Sequence, residues 1–324
     1  MVLTASESAC SATNLSASEL ETVQGLGPRN AIYVDSPVFR RTAYGTNHPL
    51  AIPRTETVHD LCRALGWLPQ SATLKSEAAP ASVLRRFHET PYLETLSACD
   101  RRAAVSRSER ERFHLGTMEN PIFPGVYERA ATAVGGSIKA AELALAGYLA
   151  FHPAGGTHHG RAGYANGFCY MNDPVFAVLT LLDAGMERIL YVDLDAHHGD
   201  GVEAAFENDP RVYLFSIHEA NRWPHSGASS RGERLLNVAV KPGCDDRLFE
   251  STVRECGLDF AAQIKPDAVV ITCGADALAG DPLSTMQISN ETLWRATEQF
   301  IRSADKAVVL GGGGYNPWTL ARCW

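Results

Sequence analysis

The residues best suited to chemistry lie in one run, Tyr191-Val192-Asp193-Leu194-Asp195-Ala196-His197-His198-Gly199-Asp200-Gly201. An apolar stretch precedes it, so the run leaves a strand, and alternation puts Asp193, Asp195 and His197 on one face. Two carboxylates and an imidazole on a buried face cost several kcal/mol unless a cation compensates them. A divalent metal is the simplest compensation. The competing reading is a capped turn, with acids at a sheet rim and Asp200-Gly201 opening a helix. A second apolar stretch, 268–273, runs into Gly274-Ala275-Asp276 and puts Asp276 just past the carboxyl end of a buried strand. Asp195, His197 and Asp276 then form an open three-ligand site. Zinc is the first expectation, and two oxygens with one nitrogen also suit Fe(II). Such a ligand set acidifies water less than three histidines would, so a separate general base is needed. Asp281, before Pro282, reads as a turn residue.

Gly155-Gly156-Thr157-His158-His159-Gly160 offers that base. With the spare acids Asp193 and Asp200, the two histidines suggest two His–carboxylate dyads; a pair of solvated loop histidines is the alternative. Val308-Val309-Leu310 leads into Gly311-Gly312-Gly313-Gly314-Tyr315, which lacks the spacing of a nucleotide-binding loop. It reads instead as a mobile or close-packed turn delivering the Tyr315 phenol to a developing oxyanion.

The elements that position these groups alternate between short apolar runs and amphipathic stretches. Strands are expected at 31–34, 188–193, 212–217, 235–240, 268–273 and 307–310, and helices at 127–150, 174–184, 202–208, 247–264 and 290–304. Asn172 or Asp173 caps the helix that Pro174 opens. The alternation predicts one α/β domain on a mostly parallel sheet, residues 29–324, with 1–28 a flexible Ser/Ala/Thr-rich tail. The irregular 36–120 region is expected to shape a substrate entrance.

Composition excludes several classes. The chain has 324 residues, 45% of them hydrophobic, and its longest apolar runs are too short to span a bilayer. Its net charge of −8 and lack of basic clusters argue against nucleic acid and for a cationic substrate. Eight cysteines, no two closer than twelve residues, form no zinc knuckle and read as reduced cytoplasmic thiols. The first 28 residues hold no Lys or Arg and no apolar core of a secretory signal.

From about Tyr44 to Trp324 the chain resembles the zinc-dependent histone deacetylase family, especially its class I-like and bacterial acetoin-utilization members. The motifs carrying the resemblance are His158-His159, Gly167-Phe168-Cys169-Tyr170-Met171-Asn172-Asp173, Asp193 to Gly201, Gly274 to Pro282, and Gly311 to Asn316. The resemblance implies the arginase/deacetylase α/β fold, with zinc on Asp195, His197 and Asp276. It makes His159 the base, His158 its electrostatic partner, Asp193 and Asp200 their carboxylates, and Tyr315 the group polarising the scissile carbonyl. Gly167 and Phe168 match the lysine tunnel, Leu283 its apolar rim and Trp223 the opposing wall, with core packing the alternative for both aromatics. Glu119 falls near the acid that grips the substrate backbone, about one residue out of register; a solvated loop carboxylate is the other reading. A monovalent cation, K⁺, is implied near Asp193, Asp195, His197, Ser216 and Ile217. The chain stops inside a helix that relatives extend, which leaves a truncated sequence and a short protein both open.

The leading expectation is hydrolysis of N-acetyl-lysine or a related acyl-lysine in proteins. An acetylpolyamine deacetylase is the alternative within the enzymes. A two-metal ureohydrolase is disfavoured because Gly274 stands where another bridging acid is needed. A catalytically inactive acyl-lysine reader would have lost a ligand, the base or the tyrosine, and all are present. The oligomeric state is left open.

Overall fold

Apolar residues alternate between two layers along every central strand. The structure, a computed structural model, describes residues 15–23, 31–41 and 43–324. Its strands are β1 Ala31–Asp35, β2 Thr73–Lys75, β3 Leu149–His152, β4 Ile189–Asp193, β5 Val212–Glu219, β6 Leu235–Val240, β7 Ala268–Thr272 and β8 Lys306–Leu310. They form one sheet in the order β2-β1-β3-β8-β7-β4-β5-β6, parallel throughout. Leu190 and Val192 of β4, with Phe215 and Ile271, pack under Phe249, Leu293 and Phe300. Ile189 and Tyr191, with Leu214 and Val270, face Leu143, Val175 and Leu181 on the opposite side. Strands buried on both faces must read as unbroken apolar runs, which is why they were visible in the sequence.

Strand boundaries agree with expectation within two residues, but the helix expected over 127–150 does not. It runs over Val126–Leu145, and residues 149–152 become β3. The stop is chemical. Gly147 takes φ +94°, Tyr148 N–H donates to the Leu143 carbonyl and Gly147 N–H to that of Ala144, which closes a Schellman turn. The three-residue β2 at the sheet edge was too short to leave a periodicity.

The tail expected over 1–28 is corrected where the structure describes it. Residues 17–23 form a helix, Val23 is buried against the second core, and Glu19 pairs with Lys139 at 2.9 Å. Residues 1–14 and 24–28 lie outside the described residues. The 36–120 region contains the helices Thr55–Ala64, Thr90–Arg102 and Arg107–Phe113. Among the described residues, no helix is long and apolar enough to cross a membrane.

Helix Val126–Leu145 meets the 77–79 segment through a glycine. A Cβ on Gly135 would sit 1.8 Å from the Glu77 carbonyl oxygen. Alanine gains about 1 kcal/mol of helix propensity over glycine. Overpacking against backbone that cannot swing away costs about 1–3 kcal/mol. Gly135→Ala is therefore expected to lower the urea midpoint despite improving the local helix. A midpoint at or above wild type would show that the 77–79 segment yields freely.

Candidate active site and metal centre

Apart from Glu119, which lies between helices Arg107–Phe113 and Val126–Leu145, the chemically promising groups sit at or beyond the carboxyl ends of five adjacent strands, β3, β8, β7, β4 and β5. In open parallel sheets this edge is where ligands bind. After β4 the backbone keeps its alternation: Leu194 and Ala196 join the first core, while Asp195 and His197 point the other way. Asp195 N–H donates to Asp193 Oδ1 at 3.2 Å and His197 N–H to Asp195 Oδ1 at 2.9 Å. Asp276 follows β7 in the short turn Ala275–Ala277, where its Oδ1 accepts the Ala196 N–H at 3.0 Å. Gly313 N–H, after β8, donates to Asp195 Oδ2 at 2.6 Å. His197 Nδ1 lies 2.9 Å from Asp276 Oδ2 and 3.2 Å from Asp195 Oδ1. One ligand atom from each of Asp195, His197 and Asp276 lies within 4.8 Å of the others, and all three residues are buried.

Both expected dyads are assembled. His158 Nδ1 donates to Asp193 Oδ2 at 2.7 Å, and the same oxygen accepts the Tyr191 hydroxyl at 3.0 Å. His159 Nδ1 donates to Asp200 Oδ1 at 2.7 Å, and Arg161 pairs with Asp200 Oδ2. The solvated-histidine alternative fails, because both rings are buried. His159 meets the Trp223 ring edge-on, with centroids 4.6 Å apart.

A pocket of about 740 Å³ opens above the cluster, lined by His159, His197, Phe168, Trp223, Leu283, Tyr315 and Glu119 among others. Trp223 and Phe168 are half-buried wall residues, not core. Gly167 has φ +56°, and a Cβ there would strike Trp223 at 2.3 Å and His159 at 2.6 Å. Glu119 is not a freely solvated loop acid, because its Oε1 accepts the Gly167 N–H at 3.1 Å. Ser216 lies beside Asp193 in the β4–β5 register and Ile217 follows, buried; the Ser216 hydroxyl shares a hydrogen bond with His218 Nδ1 at 2.8 Å.

Charge within the cluster is unbalanced. Burial alone would hold the ring of His197 neutral, yet hydrogen bonds to Asp195 and Asp276 push its pKa up to about 10. Burial likewise opposes charge on His158, and Asp193 and Asp195 override it, to about 9. Burial, then the charge of neighbouring His158, holds His159 down to about 3, so that ring stays neutral. Burial, then the charge of Asp195, raises Asp276 to about 7. The cluster draws positive charge from wherever it is available, and a dication meets that demand without protonating a ligand. The donor set fits a divalent metal. A Cβ on Gly274 would lie 2.3 Å from Asp195 Oδ2, leaving no space for a bridging acid at that position.

Sequence reasoning missed several supports. Asp281 is more than a turn residue: besides the Leu283 N–H at 2.9 Å, it accepts the Tyr315 N–H at 2.7 Å and so fixes the tyrosine's backbone. Arg54 donates to the Gly312 carbonyl from 258 residues away. Arg161 gave no local signal beyond one charge in a loop. Asn172 and Asp173 sit in a quoted motif, but their partners at residues 156–160 are visible only in three dimensions.

The fold and site together define a class. The histone deacetylase domain model matches residues 48–324, and the chain belongs to the histone deacetylase family. It is 36% identical over 291 residues to histone deacetylase 1 of Oryza sativa subsp. japonica, covering 87% of this chain and 56% of the relative. Against histone deacetylase 1 of Homo sapiens it is 32% identical over 313 residues, covering 93% and 64%. The chain thus spans between 56% and 64% of the length of these two relatives. A solved histone deacetylase homologue complexed with SAHA superposes with a TM-score of 0.87 at 32% identity, covering 91% of this chain and 82% of that one. A homologue from Aquifex aeolicus gives 0.85 at 32% identity, with the same coverage. The expected arginase/deacetylase α/β architecture is present, with its sheet wholly parallel.

Metal binding is checked directly. Zinc titrated into chelator-treated protein should bind with one equivalent and raise the melting transition, by about 2.7 kcal/mol of stability at 100-fold excess over Kd. Asp276→Asn keeps an oxygen for the Ala196 N–H but weakens ligation, and should abolish that rise. Two tight equivalents, or an unchanged rise in the variant, would refute the assigned ligand set.

Proposed function

We propose that the chain is a zinc-dependent deacetylase that hydrolyses the amide of N-acetyl-lysine, or a related acyl-lysine, in proteins. The observation carrying this reading is the buried Asp195–His197–Asp276 cluster beside two His–Asp pairs, at the floor of a pocket walled by aromatic rings. A divalent cation held by the three residues supplies Lewis acidity toward the amide carbonyl and the attacking water, and Fe(II) suits the same donors. Because His159 Nδ1 donates to Asp200, Nε2 is the basic atom. It takes the proton from water and hands one to the departing lysine amine. His158, charged through Asp193, steadies the negative charge that develops nearby. The Tyr315 phenol, which burial and the carboxylates of Asp276 and Asp195 keep protonated, donates to the oxyanion. Phe168 and Trp223 sandwich the methylene stem, and Leu283 lines the mouth.

A second reading, an acetylated polyamine, is favoured by Glu119, whose carboxylate faces the pocket, while the charge of Glu219 there is balanced by Arg222 at 2.8 Å. A potassium ion near Asp193 and Ser216 is supported by the strand register that brings them together. A cytoplasmic setting is supported by seven free thiols among the described residues. We further read residues 29–324 as a single domain, because one sheet joins β1 to β8.

Turnover of an acetyl-lysine peptide against acetylspermidine separates the two substrates. With zinc content measured alongside, Tyr315→Phe should keep the metal and lose about 100- to 1,000-fold in kcat. His159→Ala should behave similarly, whereas Trp223→Ala should act mainly on KM. Turnover near wild type in metal-loaded Tyr315→Phe would require another oxyanion donor.

A further inference from the structure

Five backbone atoms of the loop bearing His158 and His159 are held by three buried side chains that the chemistry above does not use. Asp173 is wholly buried in the first turn of helix Asp173–Asp183. Its Oδ2 accepts the Gly156 N–H at 3.0 Å and its Oδ1 the Thr157 N–H at 2.8 Å, with the Ser137 and Thr157 hydroxyls as further partners. Asn172, which caps the same helix, donates from Nδ2 to the carbonyls of His158 at 3.2 Å and Gly160 at 2.9 Å. His88 donates from Nδ1 to the Arg161 carbonyl at 3.1 Å, and its Nε2 accepts the Asn172 N–H at 3.1 Å. The fit leaves no slack. A Cβ on Gly155 would lie 2.6 Å from Asp173 Oδ2, and one on Gly201 2.8 Å from Asn172 Nδ2.

We propose that Asp173 is a positioning residue that sets the placement of His158 and His159 over the metal cluster by fixing the amides of Gly156 and Thr157, with Asn172 and His88 completing the clamp. The inference rests on the deacetylase reading. A carboxylate offers two acceptor oxygens, one for each amide, whereas a carboxamide offers one oxygen and turns an NH₂ against the other N–H. The loop must then shift, and a misplacement of about 1 Å in a reacting group costs on the order of 100-fold in rate. The metal ligands hang from β4 and β7, and the backbone N–H groups that bind their carboxylates come from residues outside this loop.

Ser137 supplies the control, because it donates to the same carboxylate from helix Val126–Leu145 and its hydroxyl binds none of the loop amides or carbonyls that the clamp holds. Hydrogen exchange on the full chain should show Asp173→Asn losing protection over 155–161 by about tenfold in rate, as for local opening. The segments bearing Asp195 and Asp276 should be unchanged, and Ser137→Ala should leave 155–161 protected. With zinc-loaded protein and an acetyl-lysine peptide, Asp173→Asn should lower kcat about 100-fold while KM and zinc content stay near wild type. Should Asp173→Asn fail to fold, Thr157→Val, which removes the hydroxyl contacts to Asp173 and to the Met171 carbonyl, should give the same pattern at smaller amplitude. Equal loosening of 155–161 in Ser137→Ala overturns the proposal, as does full kcat in a variant whose loop has opened. Wild-type protein inactive on every acetylated amine would sink the deacetylase reading alone, since the exchange measurements still decide the clamp.

Discussion

Asp193, Asp195, Asp200 and Asp276 are all buried at the carboxyl edge of one sheet, and unanswered carboxylates there would cost several kcal/mol each. The surrounding structure is organised by how each is answered. Asp193 receives His158 and Tyr191, and Asp200 receives His159 and Arg161. Asp195 and Asp276 have backbone N–H groups and one shared imidazole between them, which leaves negative charge uncancelled. That imbalance divides one acidic cluster into two dyads and a ligand set. It also explains why adjacent histidines diverge: His158 looks onto the uncancelled charge, while His159 is burdened by burial and by His158 itself.

Holding carboxylates this close to backbone leaves no room for side chains on the segments that face them. A Cβ on Gly199 would lie 2.1 Å from Asp193 Oδ2, one on Gly274 2.3 Å from Asp195 Oδ2, and one on Gly313 2.0 Å from Asp276 Oδ2. The glycines here serve close approach more than flexibility. The run Gly311 to Gly314 is therefore part of the acid-holding machinery as well as the tether of Tyr315.

Most of this was legible in the chain because the informative groups are local to strand ends. Asp195 and His197 follow β4 directly, and Asp276 follows β7, so buried strands announced by their apolar runs also located the ligands. What escaped notice depends on contacts distant in sequence. The Asp281 carboxylate is a routine turn former until Tyr315, 34 residues later, is seen to donate to it. The end of helix Val126–Leu145 was overrun because Tyr148-Leu149-Ala150-Phe151 continues an apolar pattern that either structure accommodates. Only Gly147 marks the change, and a lone glycine inside a helical pattern is a weak stop signal. The helix at 17–23 is anchored by Val23 and by Glu19 on Lys139, partners that Ser/Ala-rich composition does not advertise.

The floor and the walls of the pocket obey different rules. Floor residues are fixed by buried hydrogen bonds and need no strained backbone. The wall residues Gly167 and Phe168 take φ of +56° and +66°, and for phenylalanine that conformation costs about 1–2 kcal/mol. A half-exposed ring gains less from burial than a core ring does, so something else must hold it. Phe168 meets His48 edge-on at 4.8 Å and Tyr315 at 5.9 Å, and the Gly167 N–H is bound by Glu119. These contacts offset the strain and turn the ring across the mouth instead of into the core. The same sterics that force glycine at 167 bring Trp223 against His159, so the pocket wall and the His159 ring are one packed unit. The His159 ring is thus held from two sides, by the Asp200 carboxylate at Nδ1 and by the edge contact with Trp223.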